Sequence, residues 1–391
     1  MRGVSVKGVI MKRKITAAAL ILALMLSFAA CGSNGPSAKD LSPEHETKFG
    51  GIYLHMTIDD FVALGFDYGD SVDISFSNGY KLEGIPFYNG YYTVTGGTLL
   101  VAYPGYPYIK ACINNGDDLY TLAGIDDACT ASVTLNESGK YLAVQNAMSM
   151  TYTNERANYA SDEVFANFRV MTGGKLSEGL FCRSASPCDD QYSRAGYSSA
   201  LCEKAGIAFV LDLADSEEET AGYYADDSAP CPYWKSLYEK GKVLELDMSS
   251  NYRDPVFAGK VAEGMRAVIN EEGPFLVHCT EGKDRTGFVC FLIEALAGAS
   301  IGELEADYMT TYDNYYGVTK TGNPEGYAAV MQVKFNDFAA CLCGDADPES
   351  LTSEQLVAGA EQYLRLGGMS SEEIIQLENR ICPAGGAAEQ K

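Results

Sequence analysis

Histidine is nearly absent from this chain: 391 residues hold three, His45, His55 and His278. Only His278 falls in the C-terminal half. A Ser-His-Asp triad, a cysteine paired with a distant histidine, or a zinc site with two or more histidines would each need more. Positive charge is also short, with 29 Lys and Arg against 53 Asp and Glu and a formal charge of −24 at pH 7. A nucleic-acid backbone is attracted by the opposite balance, so nucleic-acid binding is disfavoured. The 12 cysteines are irregularly spaced and form neither a metal pattern nor a dense disulfide framework. Cys341-x-Cys343 is a lone pair near the end of an expected helix, Gly326 to Leu342, and reads as buried packing.

The N-terminus carries an export pattern. Arg2, Lys7, Lys12, Arg13 and Lys14 precede an apolar run from Ile15 to Ala30, of signal-peptide length and too short for a comfortable membrane span. Met11 heads a tidier version of the same signal. The run ends Ser27-Phe28-Ala29-Ala30-Cys31-Gly32, which resembles a bacterial lipoprotein cleavage site with Phe28 in place of the usual leucine. The expectation is a signal peptide over 1–30, lipid on Cys31 and a flexible tether over 31–48, where Ser33 to Glu46 is rich in Gly, Pro and Ser. The protein would then lie outside the cytoplasm, held to the bacterial cell membrane; cleavage without lipid would make it secreted.

Residues 49–155 read as a small β-rich domain of open role. Val72, Ile74 and Phe76 alternate before Asn78-Gly79, and Ile85 and Phe87 before Asn89-Gly90; Tyr91 to Val94 and Leu99 to Val101 follow around Gly96-Gly97. Short strands and glycine turns at this spacing predict an antiparallel barrel or sandwich. Its many tyrosines suit rings buried with wet hydroxyls, or a surface for a glycan or peptide.

In the remaining part, His278 to Gly287 reads His-Cys-Thr-Glu-Gly-Lys-Asp-Arg-Thr-Gly. Pro274 and the apolar Phe275, Leu276 and Val277 precede it as a strand. The apolar stretch Thr286 to Ala297, closed by Gly298, follows as a core helix. A loop in this setting can curl its N–H groups around a tetrahedral anion, with the helix N-terminus adding positive charge. Arg285 can fork two anion oxygens, and Cys279 would lie beneath with its thiolate stabilised by the same field. Strand-like runs (Ala208 to Leu213, Val243 to Leu246, Phe275 to Val277) alternate with helical ones (Tyr197 to Ala205, Pro255 to Asn270, Thr286 to Ala297). The alternation predicts an α/β domain, a mostly parallel sheet flanked by helices, with the loop at the carboxyl end of a strand. Ser300 with Glu303 and Ser370 with Glu373 are capping boxes for later helices.

His278-Cys279-x-x-Gly282-x-x-Arg285-Thr286 resembles the signature of the cysteine-dependent protein tyrosine phosphatase superfamily. The Gly282-Lys283-Asp284-Arg285-Thr286-Gly287 form is similar to a bacterial branch acting on phosphotyrosine and, in some members, phosphoinositides. Asn167-Phe168-Arg169, Gly173-Gly174, Phe181-Cys182-Arg183-Ser184-Ala185 and Ile207 to Asp215 resemble further landmarks of that branch. The resemblance implies a tyrosine-phosphatase-like catalytic domain over 156–385. It also implies attack by Cys279 on phosphorus, a cysteinyl-phosphate, and hydrolysis by water, without metal or organic cofactor. Thr280, Glu281, Gly282 and Lys283 would cradle the phosphate with Arg285. Thr286 would stabilise the leaving thiolate, and His278 would orient the loop and lower the Cys279 pKa. Phosphotyrosyl protein is the first substrate, a phosphoinositide or inositol phosphate the alternative.

The proton donor is open between Asp284, which the resemblance favours, and Asp215, which also reads as a helix cap with Glu218. Asp254, followed by Pro255, reads as an N-cap. Lys283 suits a polyanionic substrate, or pairs with an acid such as Asp212 or Asp215. The aromatic stretch Asp307 to Tyr316 reads as core packing or the mouth of a pocket. A rhodanese-like sulfurtransferase is disfavoured by His278 and the Arg285-Thr286-Gly287 exit. A non-catalytic phosphate-binding module is disfavoured by the retained thiol.

Overall fold

The computed structural model describes residues 35–126, 128–226, 228, 230–344 and 346–382. The expected signal peptide and Cys31 lie outside the described residues. Among the described residues, no helix is long and apolar enough to cross a membrane.

Eight strands form the N-terminal sheet: β1 (Ser37–Leu41), β2 (Pro43–Glu46), β3 (Gly51–Leu54), β4 (Ser71–Phe76), β5 (Lys81–Tyr88), β6 (Thr98–Val101), β7 (Ile109–Ile113) and β8 (Ala131–Glu137). Their order is β1-β8-β4-β5-β6-β7-β3-β2, antiparallel except where β5 meets β6. The expected Asn78-Gly79 turn joins β4 to β5, with Gly79 at φ +95°. Two expectations fail here. Within the segment assigned to a tether, the described residues hold two strands: Ala38 and Leu41 are buried and pair with β8, while Pro43 opens edge strand β2, where its missing N–H costs no ladder bond. Tyr91 to Val94 is not a strand, because Gly97 N–H turns back to the Val94 carbonyl and the Asn114 amide holds the Thr93 carbonyl.

Along β5, β6 and β7 the sheet is apolar on both faces, following the period of two along a strand. Phe87, Leu100 and Ala111 face the domain's own core with Phe61 and Ile74. Their neighbours Tyr88, Leu99, Val101 and Cys112 join the C-terminal core instead.

The C-terminal sheet is β12 (Val243–Glu245), β11 (Phe209–Asp212), β13 (Phe275–His278), β10 (Phe181–Ser184) and β9 (Arg169–Val170), in that order. The expected α/β character holds, but the sheet is mixed: the short edge strand β9 runs antiparallel to β10 and the other junctions are parallel. Helices Ala195–Ala205, Pro255–Asn270 and Asp284–Leu296 connect or follow the strands. Asp254 accepts the Val256 N–H at 2.8 Å with proline in the first turn, so it is a cap. Both expected capping boxes form. Asp215 is not a cap: Ser216 takes that place, with Glu219 closing the box. The helix expected over Gly326 to Leu342 starts at Pro324, widens into a π-turn at Met331–Phe335 and ends at Cys343.

Candidate active site

Strand register places the site. Ser184 on β10 and Asp212 on β11 both stand opposite His278 at the carboxyl end of β13. The chain then leaves the sheet as residues 279–283 and enters helix Asp284–Leu296. Gly282 makes the curl, at φ +66° and so close to β10 that a Cβ would lie 2.2 Å from the Ser184 carbonyl oxygen.

Surrounding groups hold the loop carbonyls. The Thr280 carbonyl accepts from the Ser186 N–H at 3.2 Å, and the Glu281 carbonyl from the Tyr315 hydroxyl at 2.6 Å. The Gly282 carbonyl accepts from Arg183 at 3.0 Å and Asn167 at 3.1 Å. In a trans peptide the N–H points opposite to the C=O. Carbonyls drawn outward therefore aim the N–H groups of Glu281, Gly282 and Lys283 inward, as an anion nest requires. Arg183 and Arg169 are themselves joined by Asp307, whose carboxylate they hold down to about 2 against the opposing effect of burial.

Cys279 is 3% exposed and lines a cavity of about 1230 Å³ with Thr280, Glu281, Asp284 and Arg285. The Arg285 guanidinium donates to Thr280 Oγ1 at 3.1 Å and to the Met248 carbonyl at 3.2 Å, which fixes its fork beside the loop. His278 is fully buried, and burial pushes its imidazole down to about 4. It is therefore neutral near pH 7 and adds no positive charge beside the thiol. Thr286 Oγ1 is buried and has no hydrogen-bond partner among the described residues.

The two candidate acids differ in setting. Asp284 lies on the cavity wall, with Lys283 Nζ at 3.8 Å and Lys334 Nζ at 3.7 Å. Burial raises its pKa, but Lys283, Lys334 and Arg285 outweigh that and hold the carboxyl below its usual range. Asp215 is 6% exposed and outside the cavity lining. Burial, then the neighbouring Asp212, push it up to about 7, and burial does the same to Asp212.

Lys283 does not pair with Asp212 or Asp215. Its ammonium meets Glu281 at 3.2 Å, Asp284, and the Tyr316 hydroxyl at 3.3 Å. Burial alone would lower Lys283, yet Asp284 and Glu281 keep it well above the usual range. Glu281 is also the acceptor for the Tyr152 hydroxyl. In the aromatic stretch, Tyr308 and Tyr312 are core residues, Tyr315 is buried and holds the Glu281 carbonyl, and Tyr316 reaches Lys283.

Sequence reading missed Lys334, Asp337 and Tyr252, all on the cavity wall. The first lies in the π-turn, which has no periodicity to mark it. Tyr91, Thr95 and Lys110 from the N-terminal sheet region line the same cavity. Their placement depends on how the two halves pack, and the sequence carries no local signal of that.

Residues 165–382 match the model of the tyrosine phosphatase family. A tyrosine-protein phosphatase from Nostoc commune is 29% identical over 126 residues, which cover 31% of this chain and 43% of that protein. The match thus spans less than half of that curated relative. Among solved structures, the core catalytic domain of the PP-IP phosphatase Siw14 from S. cerevisiae is 18% identical, with 44% of this chain and 92% of that chain covered at a TM-score of 0.25. TpbA from P. aeruginosa is also 18% identical, with 59% and 96% covered and a TM-score of 0.25.

Proposed function

Because the chain belongs to the tyrosine phosphatase family by the match over 165–382, we propose that it hydrolyses phosphate monoesters, phosphotyrosine first, through a cysteinyl-phosphate on Cys279. The observation that supports this most is Cys279 at the base of a loop whose carbonyls are held outward and whose Arg285 fork is fixed beside it. The anion's equatorial oxygens take the inward N–H groups and Arg285, where charge spreads in the transition state. Cys279 sulfur forms a bond to phosphorus as the bond to the tyrosine oxygen breaks. Asp284, on the cavity wall, gives that oxygen its proton. In the second step Asp284 takes a proton from water, the water oxygen attacks phosphorus, and phosphate leaves the sulfur. The Thr286 hydroxyl, without a hydrogen-bond partner among the described residues, is available to the departing thiolate.

Asp284 starts ionised because three cations surround it. A bound phosphate dianion offsets those cations and raises the carboxyl toward protonation, which reconciles its low resting pKa with an acid role.

Lys283 and Lys334 beside the loop favour a second reading, in which a phosphoinositide or inositol phosphate brings a further phosphate to the same pocket. Export with lipid on Cys31, and a place on the outer side of the bacterial cell membrane, complete the proposal. Mass spectrometry of the mature N-terminus checks it: diacylglyceryl-Cys31 is expected, and an unmodified terminus would leave a secreted protein.

The activity is tested by phosphate release from an aryl phosphate. Cys279→Ser is expected to cut turnover by about a thousandfold or more. Equal turnover by both proteins would remove Cys279 from the reaction, and sulfur transfer from thiosulfate would replace this reading by a sulfurtransferase.

A further inference from the structure

The cavity above Cys279 is not built by the catalytic half alone. One wall carries Cys279, Asp284 and Arg285; the other carries Tyr91, Tyr103, Tyr106 and Lys110 of the N-terminal sheet region. Lys110 is the anomaly. It lies on β7 next to Ala111, which faces the domain's own core, and so shares a face with Cys112, part of the apolar surface joined to the catalytic half. A lysine there is 1% exposed and loses its hydration.

Its compensation is thin. Of the three ammonium donors, one reaches the Tyr106 hydroxyl at 3.4 Å, and Glu46 Oε2 stands 3.5 Å away. That oxygen has no hydrogen-bond partner among the described residues. The rings of Tyr106, Tyr91 and Tyr53 surround the ammonium with centroids at 4.6, 5.3 and 5.8 Å. Tyr91 and Tyr106 join their hydroxyls at 2.7 Å, so one hydrogen of that pair is free to turn toward a ligand. Tyr103, 46% exposed, borders the same spot.

We propose that Lys110, with the Tyr91 and Tyr106 hydroxyls, forms a second anion subsite, so that the β-rich domain selects substrates bearing an acidic group remote from the scissile phosphate. Glu46 already takes one side of the ammonium at 3.5 Å, so that group's oxygens approach from the cavity side, beside the Tyr91 and Tyr106 hydroxyls. The proposal rests on the phosphatase reading for its first anchor, the loop around Cys279. Shared chemistry defines the ligand: a phosphate ester at one end and a carboxylate or second phosphate at the other.

Two probe series test it. Each is a phenyl phosphate with a para alkyl chain of graded length, ending in a carboxylate or a phosphonate, beside the neutral amide of the same length. In the wild type the acid is expected to exceed its amide in kcat/KM by about tenfold at one chain length, the worth of one charge-assisted contact. Lys110→Met should bring that ratio to about one, and Lys110→Arg should keep part of it. A higher ratio for the phosphonate series identifies a second phosphate, and for the carboxylate series a carboxylic acid. If Lys110→Met does not fold because Glu46 is left unpaired, Glu46→Gln combined with Lys110→Met removes both charges. A ratio of one at every length in the wild type, or an unchanged ratio in the variants, overturns the subsite. Calorimetric binding of the same pairs to Cys279→Ser reads the subsite without turnover. Acid-dependent binding without hydrolysis by the wild type would therefore sink the catalytic reading and spare the subsite.

Discussion

Gly282 shows how one residue can set the chemistry of a whole loop. Its positive φ turns the chain, and the Ser184 carbonyl fills the space where a side chain would stand. Gly282→Ala is expected to cost about 2 kcal/mol or more, from left-handed backbone strain alone, in urea unfolding. It should lose phosphatase activity as the loop N–H groups swing away. The acids make a second prediction at this scale. If Asp284 is the donor, kcat/KM should fall on an alkaline limb well below pH 7, because the free enzyme holds this carboxyl low, and Asp284→Asn should lose that limb. A limb near pH 7 that vanishes in Asp215→Asn would instead assign the role to Asp215, pushed up to about 7. Asp215 also has a signature in stability. Its folded pKa lies above its ordinary 3.8, so it binds more protons in the folded state between those values and its contribution to stability falls as pH rises from about 4 to about 7. Asp215→Asn should flatten that part of the pH–stability curve. The sequence made Cys279, Gly282 and Arg285 legible because their spacing alone fits an anion loop. It left the acid open because what separates the two is tertiary: burial raises Asp215, and Lys334 joins the sequence neighbours Lys283 and Arg285 around Asp284.

Between elements, the loop is braced by a buried charge cluster. Asp307, on helix Ile301–Tyr316, binds Arg169 of β9 at 2.7 Å and Arg183 of β10, and Arg183 in turn holds the Gly282 carbonyl. Asp307→Ala leaves the buried Arg183 and the partly buried Arg169 guanidinium without this counter-charge and should cost about 3–5 kcal/mol in chemical denaturation. Because the two arginines depress Asp307 to about 2, its stabilising effect is complete above its ordinary 3.8 and fades as pH falls through about 2. Acid unfolding of the wild type should show this step, and the variant should lack it; an identical acid limb in both would exclude Asp307 as the brace. Elements with strong periodicity were readable, such as helix Pro255–Asn270 with its Asp254 cap. Those decided by pairing were not. β1 and β2 lie in a stretch of tether-like composition and become strands because β8 and β3 offer edges. The π-turn at Met331–Phe335 keeps a helical pattern on both sides, so only its register betrays it.

At the scale of the molecule, the two halves share one hydrophobic interior. Tyr88, Leu99, Val101, Cys112, Val144 and Ala147 belong to the same buried cluster as Phe257, Phe288 and Phe338. Thr95 N–H donates to Asp337 at 3.3 Å, and Asp337 also binds Arg253 at 2.6 Å and the Tyr252 hydroxyl, so the polar contacts continue from the sheet into the cavity wall. Domains joined by small polar interfaces move and melt separately, whereas a large apolar one couples them. Here the apolar residues on the second face of β5, β6 and β7 need that interface, since exposing them would put Leu99 and Val101, both fully buried, into water. Calorimetric unfolding should therefore show one cooperative transition for both halves, with equal calorimetric and van't Hoff enthalpies. Leu99→Ala opens a cavity at the junction and should destabilise by about 2–5 kcal/mol. The loss should register equally in a β-sheet probe of the N-terminal half and in the rate at which a thiol reagent reaches Cys279. If Leu99→Ala lowers the melting of the N-terminal sheet while Cys279 stays as protected as before, the halves are energetically independent. The N-terminal sheet would then be an appended module and not a wall of the site.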